Sequence, residues 1–161
     1  MRDVLFSIHP IYADAILSGR KHVEVRRRYP LRETVGGTMF IYATKPIGAI
    51  IGTARIAGVE ILGVDRLLER YGDAILIDKS ALVNYLSPSQ TAFAIRLEQP
   101  CRMPVPIERE QLLLRGITPP QAFMYLPREL SHSLPDAGFD DPRQMAFDFS
   151  ESGSCVKAGC A

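Results

Sequence analysis

The sequence lacks a long apolar segment, and this argues against a membrane-spanning helix. Such a helix needs about 18–20 consecutive apolar residues, whereas the longest candidate, residues 47–62, is interrupted by three glycines, an arginine and a glutamate. The first residues enter a strand-like pattern directly, without the apolar region of a signal peptide. We therefore expect a cytoplasmic protein with no membrane partner.

Cysteine is scarce, and metal-binding or phosphate-binding motifs are missing. The three cysteines, Cys101, Cys155 and Cys160, are an odd number that suits a reduced compartment better than a disulfide framework. No histidine or further cysteine lies near Cys155 and Cys160 to complete four zinc ligands. A carboxylate cluster for two metal ions, a glycine-rich phosphate loop and a nucleophile elbow are also missing. The expectation is a chain without metal or cofactor.

Excess charge is lacking too, since the 161 residues carry a net charge of +1. A nucleic-acid partner would therefore need a localised basic patch and not a generally basic surface. The length suits one domain, and the 47% apolar and 23% charged residues are those of an ordinary globular protein. One basic segment stands out, with five basic residues against the single acid Glu24: Arg20, Lys21, Arg26, Arg27 and Arg28.

Residues 19–30, which contain this basic segment, read as a strand. Val23 and Val25 alternate with Glu24 and Arg26, so the valines share one face and the charged residues share the other. Strict alternation would place Lys21 on the valine face, away from Glu24. Lys21 follows Gly19 at a turn, however, where the alternation need not hold.

The rest of the chain predicts a mixed, mainly antiparallel α+β domain. A helix should follow the first strand and end near Gly19, and short helices are expected later. The predicted strands are residues 4–8, 38–43, 47–61, 90–97 and 118–126. The predicted short helices are residues 64–71 and 78–86, and residues 107–114 are predicted to form a short helix or a turn. These elements favour a small, partly closed β-barrel. Residues 128–161 have few aliphatic side chains and are expected to form a flexible or disordered tail.

Several short motifs occur in an order that identifies a family. They are the segments at residues 6–10, 16–21, 23–28, 41–46 and 119–126. With these motifs the sequence resembles an ASCH domain of the PUA-like superfamily over about residues 3–127, which sets the domain at residues 1–127. The resemblance implies a PUA-like β-barrel. It also implies a cleft between barrel and first helix that binds RNA or a modified base, for example in regulation.

The candidate binding residues combine positive charge with one acid and one aromatic ring. They are Lys21, Glu24, Arg26, Arg28, Tyr42 and Lys45. Arginine matches phosphate and stacks on bases, and a tyrosine can stack as well. Glu24 repels phosphate, but it can accept from the amino group of cytosine or orient Arg26. The alternative is a solvated strand face whose ion pairs contribute about 0–1 kcal/mol each.

Catalysis is left open by the sequence, with Lys21 and Glu24 as candidates. A related branch of the family hydrolyses N4-acetylcytidine with a lysine, a threonine and a glutamate. Its lysine matches Lys21, but its threonine falls at Glu24, which offers no hydroxyl, and its glutamate falls near Asp73. A ribonuclease could instead use Lys21 with Glu24 or His22 as acid and base. A protein-interaction domain with an acidic partner is the third alternative.

A further pattern lies in the predicted tail. Gln144, Met145, Phe147 and Phe149 resemble the short glutamine-led peptides with which bacterial proteins bind the DNA-polymerase sliding clamp. The alternative is that these aromatic residues fold back onto the barrel. Sliding-clamp contact is therefore an expectation about a second partner, besides RNA or a nucleotide.

Overall fold

The computed structural model describes residues 1–30 and 32–134, which form six strands and five helices in that part of the chain. In chain order the elements are β1 (Asp3–Ile8), α1 (Pro10–Leu17), β2 (Val23–Arg26), β3 (Thr38–Ala43), β4 (Ala49–Gly63), α2 (Val64–Ile75), α3 (Lys79–Leu86), β5 (Thr91–Glu108), α4 (Arg109–Leu114), β6 (Phe123–Leu126) and α5 (Arg128–Ser133). The expected helix after the first strand and the later short helices are confirmed.

All six strands form one sheet in the order β2-β5-β4-β3-β1-β6. Among the described strands only the β1–β3 pair is parallel, so the expected mixed, mainly antiparallel α+β fold is confirmed. The expected barrel closure is not confirmed. In the described residues no ladder joins the edge strands β2 and β6, and the sheet stays open. Both edge strands have only four residues. Beside them, aromatic side chains pack together, with the Tyr29 and Phe123 ring centroids 5.0 Å apart.

The two long strands, β4 and β5, carry the irregularities that their sequences predict. Their register shifts between Ile50 and Gly52 and between Ile56 and Gly58, as expected for glycines that mark bulges. β5 is longer than predicted because the proline-rich stretch after residue 97 continues the strand. Since β2 pairs only with residues 93–96, these prolines have a free edge beside them and cost no ladder hydrogen bond there.

Apolar side chains pack on both faces of the sheet and beneath α2 and α3, which are called here the helical insertion. The first core lies under α1 and contains Phe6, Ile16 and Ile41, all fully buried. A second core on the other face includes Leu112 of α4 and Leu134. A third core joins α2 and α3 to Val23 of β2, so the valine face of the basic strand is covered by the insertion. The charged face of β2 therefore turns toward β1 and α1.

Two boundaries differ from the sequence prediction for reasons of packing. Helix α2 continues through Gly72 to Ile75, because Ala74 and Ile75 are buried in the third core and outweigh the low helix propensity of glycine. The chain leaves α2 at Leu76, in the left-handed conformation with φ 52°. Helix α5 begins at the first residue of the predicted tail, and residues 135–161 lie outside the described ranges.

The longest of the five described helices is α2, with 12 residues. None of the five is long and apolar enough to cross a membrane within residues 1–30 and 32–134.

Gly52 marks the closest approach of α1 to the sheet. A Cβ atom at this position would lie 2.5 Å from Leu17 Cδ2 and 2.5 Å from the Cys101 carbonyl oxygen. Gly52→Ala should therefore overpack the site and lower the free energy of unfolding by about 1–3 kcal/mol. The matched control is Gly72→Ala within α2, where a Cβ meets nothing within 4 Å. It should raise stability by about 0.5–1 kcal/mol, and urea unfolding would measure both. Equal effects of the two variants would contradict the packing argument.

Candidate nucleic-acid site

A pocket of about 220 Å³ opens where β1, α1 and β2 meet the helical insertion. Its lining residues are Ser7, Ile8, His9, Tyr12, Lys21, Glu24, Val25, Arg26, Ile75, Ile77 and Tyr85. This volume is below the roughly 300–1,000 Å³ of pockets that enclose drug-sized ligands. The pocket therefore suits one planar ring system and not a longer segment of a polymer.

The turn between α1 and β2 brings Lys21 into this pocket. Gly19 takes the left-handed conformation with φ 76°, and the Lys21 amide donates to the Ala15 carbonyl at 2.9 Å. Lys21 therefore still belongs to the end of the helix, and the strand alternation begins only at Val23. This geometry removes the conflict that strict alternation posed. Lys21 and Glu24 converge on one site and do not diverge onto opposite faces.

Lys21, Glu24 and Arg26 form a buried cluster, called here the charged cluster. Lys21 Nζ lies 3.3 Å from Glu24 Oε2, and Arg26 Nε lies 3.0 Å from Glu24 Oε1. Lys21 Nζ also donates to the Ile75 carbonyl at 2.8 Å, and Arg26 Nη2 donates to the Ser7 carbonyl at 3.1 Å. Lys21 is 4% exposed and Glu24 is 8% exposed, which excludes the alternative of a solvated strand face.

Electrostatics within the charged cluster are not fully balanced. Two cations share one carboxylate, and burial lowers the pKa of Lys21 while the charge of Glu24 opposes that shift. Arg26 Nε has the distance but not the angle of a hydrogen bond to Glu24, so this buried donor has no aligned acceptor among the described residues. The cluster therefore retains both excess positive charge and an unused donor.

Aromatic rings flank these cations. The Tyr12 ring centroid lies 5.4 Å from Lys21 Nζ, and the Phe6 centroid lies 4.9 Å from Arg26 Cζ. At the pocket mouth, Arg27 Cζ lies 5.2 Å from the Tyr85 ring centroid. Such contacts stabilise cations in partly desolvated places by about 0.5–2 kcal/mol. They also place flat apolar surfaces beside the charged groups.

The structure brings together only half of the predicted binding residues. Lys21, Glu24 and Arg26 line the pocket, whereas Arg28 and Lys45 are exposed outside its lining. Tyr42 is 6% exposed within the second core, where burial raises the pKa of its hydroxyl. Its ring therefore offers no open face for stacking on a base. The alternation along β3 could not show which of the two sheet faces would be covered by α4.

His22, named as a possible acid or base, and Asp73, near which the glutamate of the hydrolase branch falls, also lie outside the lining. His22 is exposed, although its amide donates to the Ala74 carbonyl at 3.2 Å. Asp73 is exposed as well. Of the three positions that the resemblance to the acetylcytidine-hydrolysing branch indicated, Lys21 and Glu24 line the pocket and Asp73 does not.

Sequence reasoning missed the pocket residues that come from β1, α1 and α3. His9 lies at the junction of β1 and α1, where its Nδ1 accepts from the Ile11 amide at a long 3.4 Å. Tyr12 lies one turn into α1, and Tyr85 lies near the end of α3. The only signal for His9 was its place in the first family motif, residues 6–10. Nothing in the spacing of Tyr85 distinguishes it from a helix surface residue.

Within residues 1–30 and 32–134 no three His, Cys, Asp or Glu side chains come close enough to hold a metal ion. The described pocket residues instead supply cationic donors, one carboxylate acceptor, an imidazole and aromatic walls. This set can bind a planar polar ring together with nearby negative charge.

The fold and the pocket define a small α+β domain with a buried Lys–Glu–Arg cluster beside its first helix. A sequence model of the ASCH domain matches residues 6–101. The chain belongs to the ASCH domain family, and the expected membership is confirmed.

Known relatives agree in sequence and in structure. The chain is 32% identical over 135 residues to an ASCH domain-containing ribonuclease of Zymomonas mobilis, covering 83% of this chain and 90% of that protein. The crystal structure of ASCH from Zymomonas mobilis has a TM-score of 0.74 at 32% identity, over 83% of this chain and 93% of that one. The N-terminal domain of Staphylothermus marinus McrB has a TM-score of 0.51 at 14% identity, over 81% of this chain and 91% of that one, a likeness of fold alone.

The predicted sliding-clamp peptide is not supported by these relatives. Its residues Gln144, Met145, Phe147 and Phe149 lie outside the described ranges, as do Cys155 and Cys160. The clamp contact therefore stays a prediction from sequence.

Proposed function

We propose that this chain binds single-stranded RNA, holds one unpaired nucleotide in the pocket and cleaves the RNA at the pocket mouth. The convergence of Lys21, Glu24 and Arg26 in a pocket sized for one ring carries the proposal. The 32% identity to a protein named as a ribonuclease supports the choice of reaction. The competing functions are the binding of RNA without cleavage and the hydrolysis of N4-acetylcytidine.

The charged cluster suits the polar edge of an unpaired base. Glu24 accepts from an exocyclic amino group, while Lys21 and Arg26 donate to ring nitrogens or carbonyl oxygens. Specific RNA recognition commonly targets unpaired bases in this way, because paired bases hide those edges. A base that carries an amino group should therefore bind better than uracil, which has none.

The phosphate backbone would run outside the pocket. Arg28 and Lys45 are exposed there, and we retain them as contacts to phosphate. Contacts of this kind release counterions, so affinity should fall as salt is raised. The basic cleft predicted from the sequence thus has two parts. The buried part reads the base, and the exposed part contacts the phosphate backbone.

His9 is the imidazole among the described pocket residues and lies at the mouth. The long contact from the Ile11 amide is weak, which leaves Nδ1 available to accept a proton. In the proposed step neutral His9 takes the proton of the ribose 2′-hydroxyl, O2′ bonds to phosphorus, and the P–O5′ bond breaks. The departing O5′ takes a proton from water, and the resulting hydroxide recovers the proton from His9. The products are a 2′,3′-cyclic phosphate and a 5′-hydroxyl.

Lys21→Met tests whether the charged cluster reads RNA. It removes a buried charged donor, so kcat/KM on an end-labelled single-stranded RNA of mixed sequence should fall by about 10- to 100-fold. The matched control is Lys79→Met, since the Lys79 side chain is 70% exposed and lies outside the pocket lining. Binding would be followed by fluorescence anisotropy, and cleavage by denaturing gels.

The wild-type protein separates the competing functions in the same assay. Binding of RNA without any cleavage would overturn the proposed reaction and favour a binding module. Release of acetate from N4-acetylcytidine with RNA left intact would favour the amidohydrolase. Equal losses in Lys21→Met and Lys79→Met would show that general charge, and not the pocket, binds RNA.

A further inference from the structure

Tyr85 is an aromatic residue whose position the packing of the protein does not explain. It lies on α3 next to Leu86, which is fully buried along with Leu82 in the third core. Tyr85 is not part of that core, and 37% of its surface is exposed. The solvent-facing side of a helix is normally polar. An exposed ring at the edge of the pocket therefore points to a role other than stability.

An arginine from the basic strand covers one side of this ring. Arg27 directly follows β2, and its Cζ lies 5.2 Å from the Tyr85 ring centroid. Arg27 is exposed, so the contact lies at the surface and within reach of a large ligand. The planar guanidinium and the phenol ring thus form an exposed stacking surface directly beside the pocket mouth.

Aromatic rings combined with arginine are the usual means of holding unpaired bases. Every base has a π-face, so such surfaces bind single strands with little sequence preference. The neighbouring positive charge of Arg28 suits the phosphate that links two nucleotides. The carboxylate among the described pocket residues, Glu24, is 8% exposed and is paired with Lys21 and Arg26 in the charged cluster.

We infer that Tyr85 and Arg27 form a second subsite, which stacks the base next to the nucleotide held in the pocket. The inference rests on the proposed function and sharpens it. The substrate is a single strand of at least two nucleotides, with one base inserted for reading and its neighbour stacked outside. The pocket then supplies selectivity, and the Tyr85–Arg27 surface supplies affinity for a chain over a free nucleotide.

The test compares a single nucleotide with a short strand that contains it. Wild type should bind a single-stranded tetranucleotide with methylated 2′-oxygens, which the proposed reaction cannot cleave, more tightly than the nucleoside monophosphate. Tyr85 also lines the pocket, so Tyr85→Ala should weaken tetranucleotide binding by about 5- to 100-fold and monophosphate binding by a clearly smaller factor. Tyr85→Phe keeps the ring and should preserve both affinities. Val83→Ala on the same helix is the matched control, because Val83 is 44% exposed and outside the pocket lining.

Each contrary result has a distinct meaning. If Tyr85→Ala weakens the monophosphate and the tetranucleotide equally, Tyr85 is a pocket wall and the second subsite is wrong. If it changes neither affinity, or if wild type binds both ligands equally, the subsite is also wrong while the proposed function stands. If wild type binds neither ligand, the proposed function itself fails and the subsite fails with it.

Discussion

Replacing Glu24 by glutamine should lower the free energy of unfolding by about 3–5 kcal/mol, although the two side chains have nearly the same shape. Glu24 is the shared partner of Lys21 and Arg26, and all three are largely buried. Glutamine removes the negative charge and leaves two cations desolvated beside each other. Urea unfolding at neutral pH should show this loss as a lower midpoint concentration. The m-value, which is the slope of the unfolding free energy against urea concentration, should change little because the surface exposed on unfolding is unchanged.

A second substitution distinguishes charge from packing. In wild type Lys21→Met removes a favourable partner of Glu24 and should be destabilising. In the Glu24→Gln background the same change removes an unpaired buried cation and should restore stability. This reversal of sign is the decisive observation, since a packing defect would make both changes unfavourable in either background.

Alkaline pH should also reduce the deficit of Glu24→Gln, that is, its loss of unfolding free energy relative to wild type. Burial lowers the pKa of Lys21 in the folded chain, so the unfolded chain binds more protons and stability rises with pH through that range. Without the opposing effect of Glu24, the pKa of Lys21 should fall further. The deficit against wild type is therefore expected to be smaller at about pH 9.5 than at about pH 7.

A surface carboxylate provides the comparison. The Glu60 side chain is 27% exposed and pairs with Arg70 at 2.8 Å and Arg96 at 3.6 Å. Because water screens this network, Glu60→Gln should cost no more than about 1 kcal/mol. A cost for Glu24→Gln as small as that for Glu60→Gln would refute the view that the charged cluster is held together by its carboxylate.

His9→Asn should lower the rate of RNA cleavage by about 10²- to 10⁴-fold, the usual contribution of a positioned general base. Asparagine is a favourable N-cap residue, so it keeps an acceptor for the start of α1, where His9 now accepts from the Ile11 amide. Helix α1 and the pocket should therefore remain intact. RNA affinity should change little, since the base and the backbone are bound by other residues.

His22→Asn is the matched control because it makes the same substitution at an exposed histidine outside the pocket lining. It should leave single-turnover cleavage unchanged. His22 was the histidine that the sequence suggested as an acid or base. Loss of cleavage in His22→Asn but not in His9→Asn would restore that suggestion and remove His9 from the reaction.

Local signals in the sequence predicted much of the fold. The helix after Pro10, the strand at residues 38–43 and the start of α3 at the capping residue Asp78 all follow from short-range chemistry. For Lys21 and Glu24 the local pattern was ambiguous, because strict alternation separates them and only the turn after Gly19 allows them to meet. These features depend on neighbours in the chain.

Features that depend on distant segments were harder to predict. Barrel closure seemed reasonable from the number of strands, but the four-residue length of β2 and β6 is set by tertiary packing. Tyr42 follows the alternation of β3 equally well on either face, and α4 decides that this face is buried. That His9 and Tyr85 line one pocket depends on how α3 approaches β1, which no local pattern contains.

The pocket lining comes from segments as far apart in the chain as Ser7 and Tyr85. The cavity cannot form in a fragment that lacks one of these segments. Contacts between distant segments are generally among the slower ones to form during folding. Anything bound there stabilises the native state as a whole by mass action. Conversely, each loss of global stability reduces the population of molecules that possess a site. A ligand can therefore bind in this pocket only when the whole domain is folded.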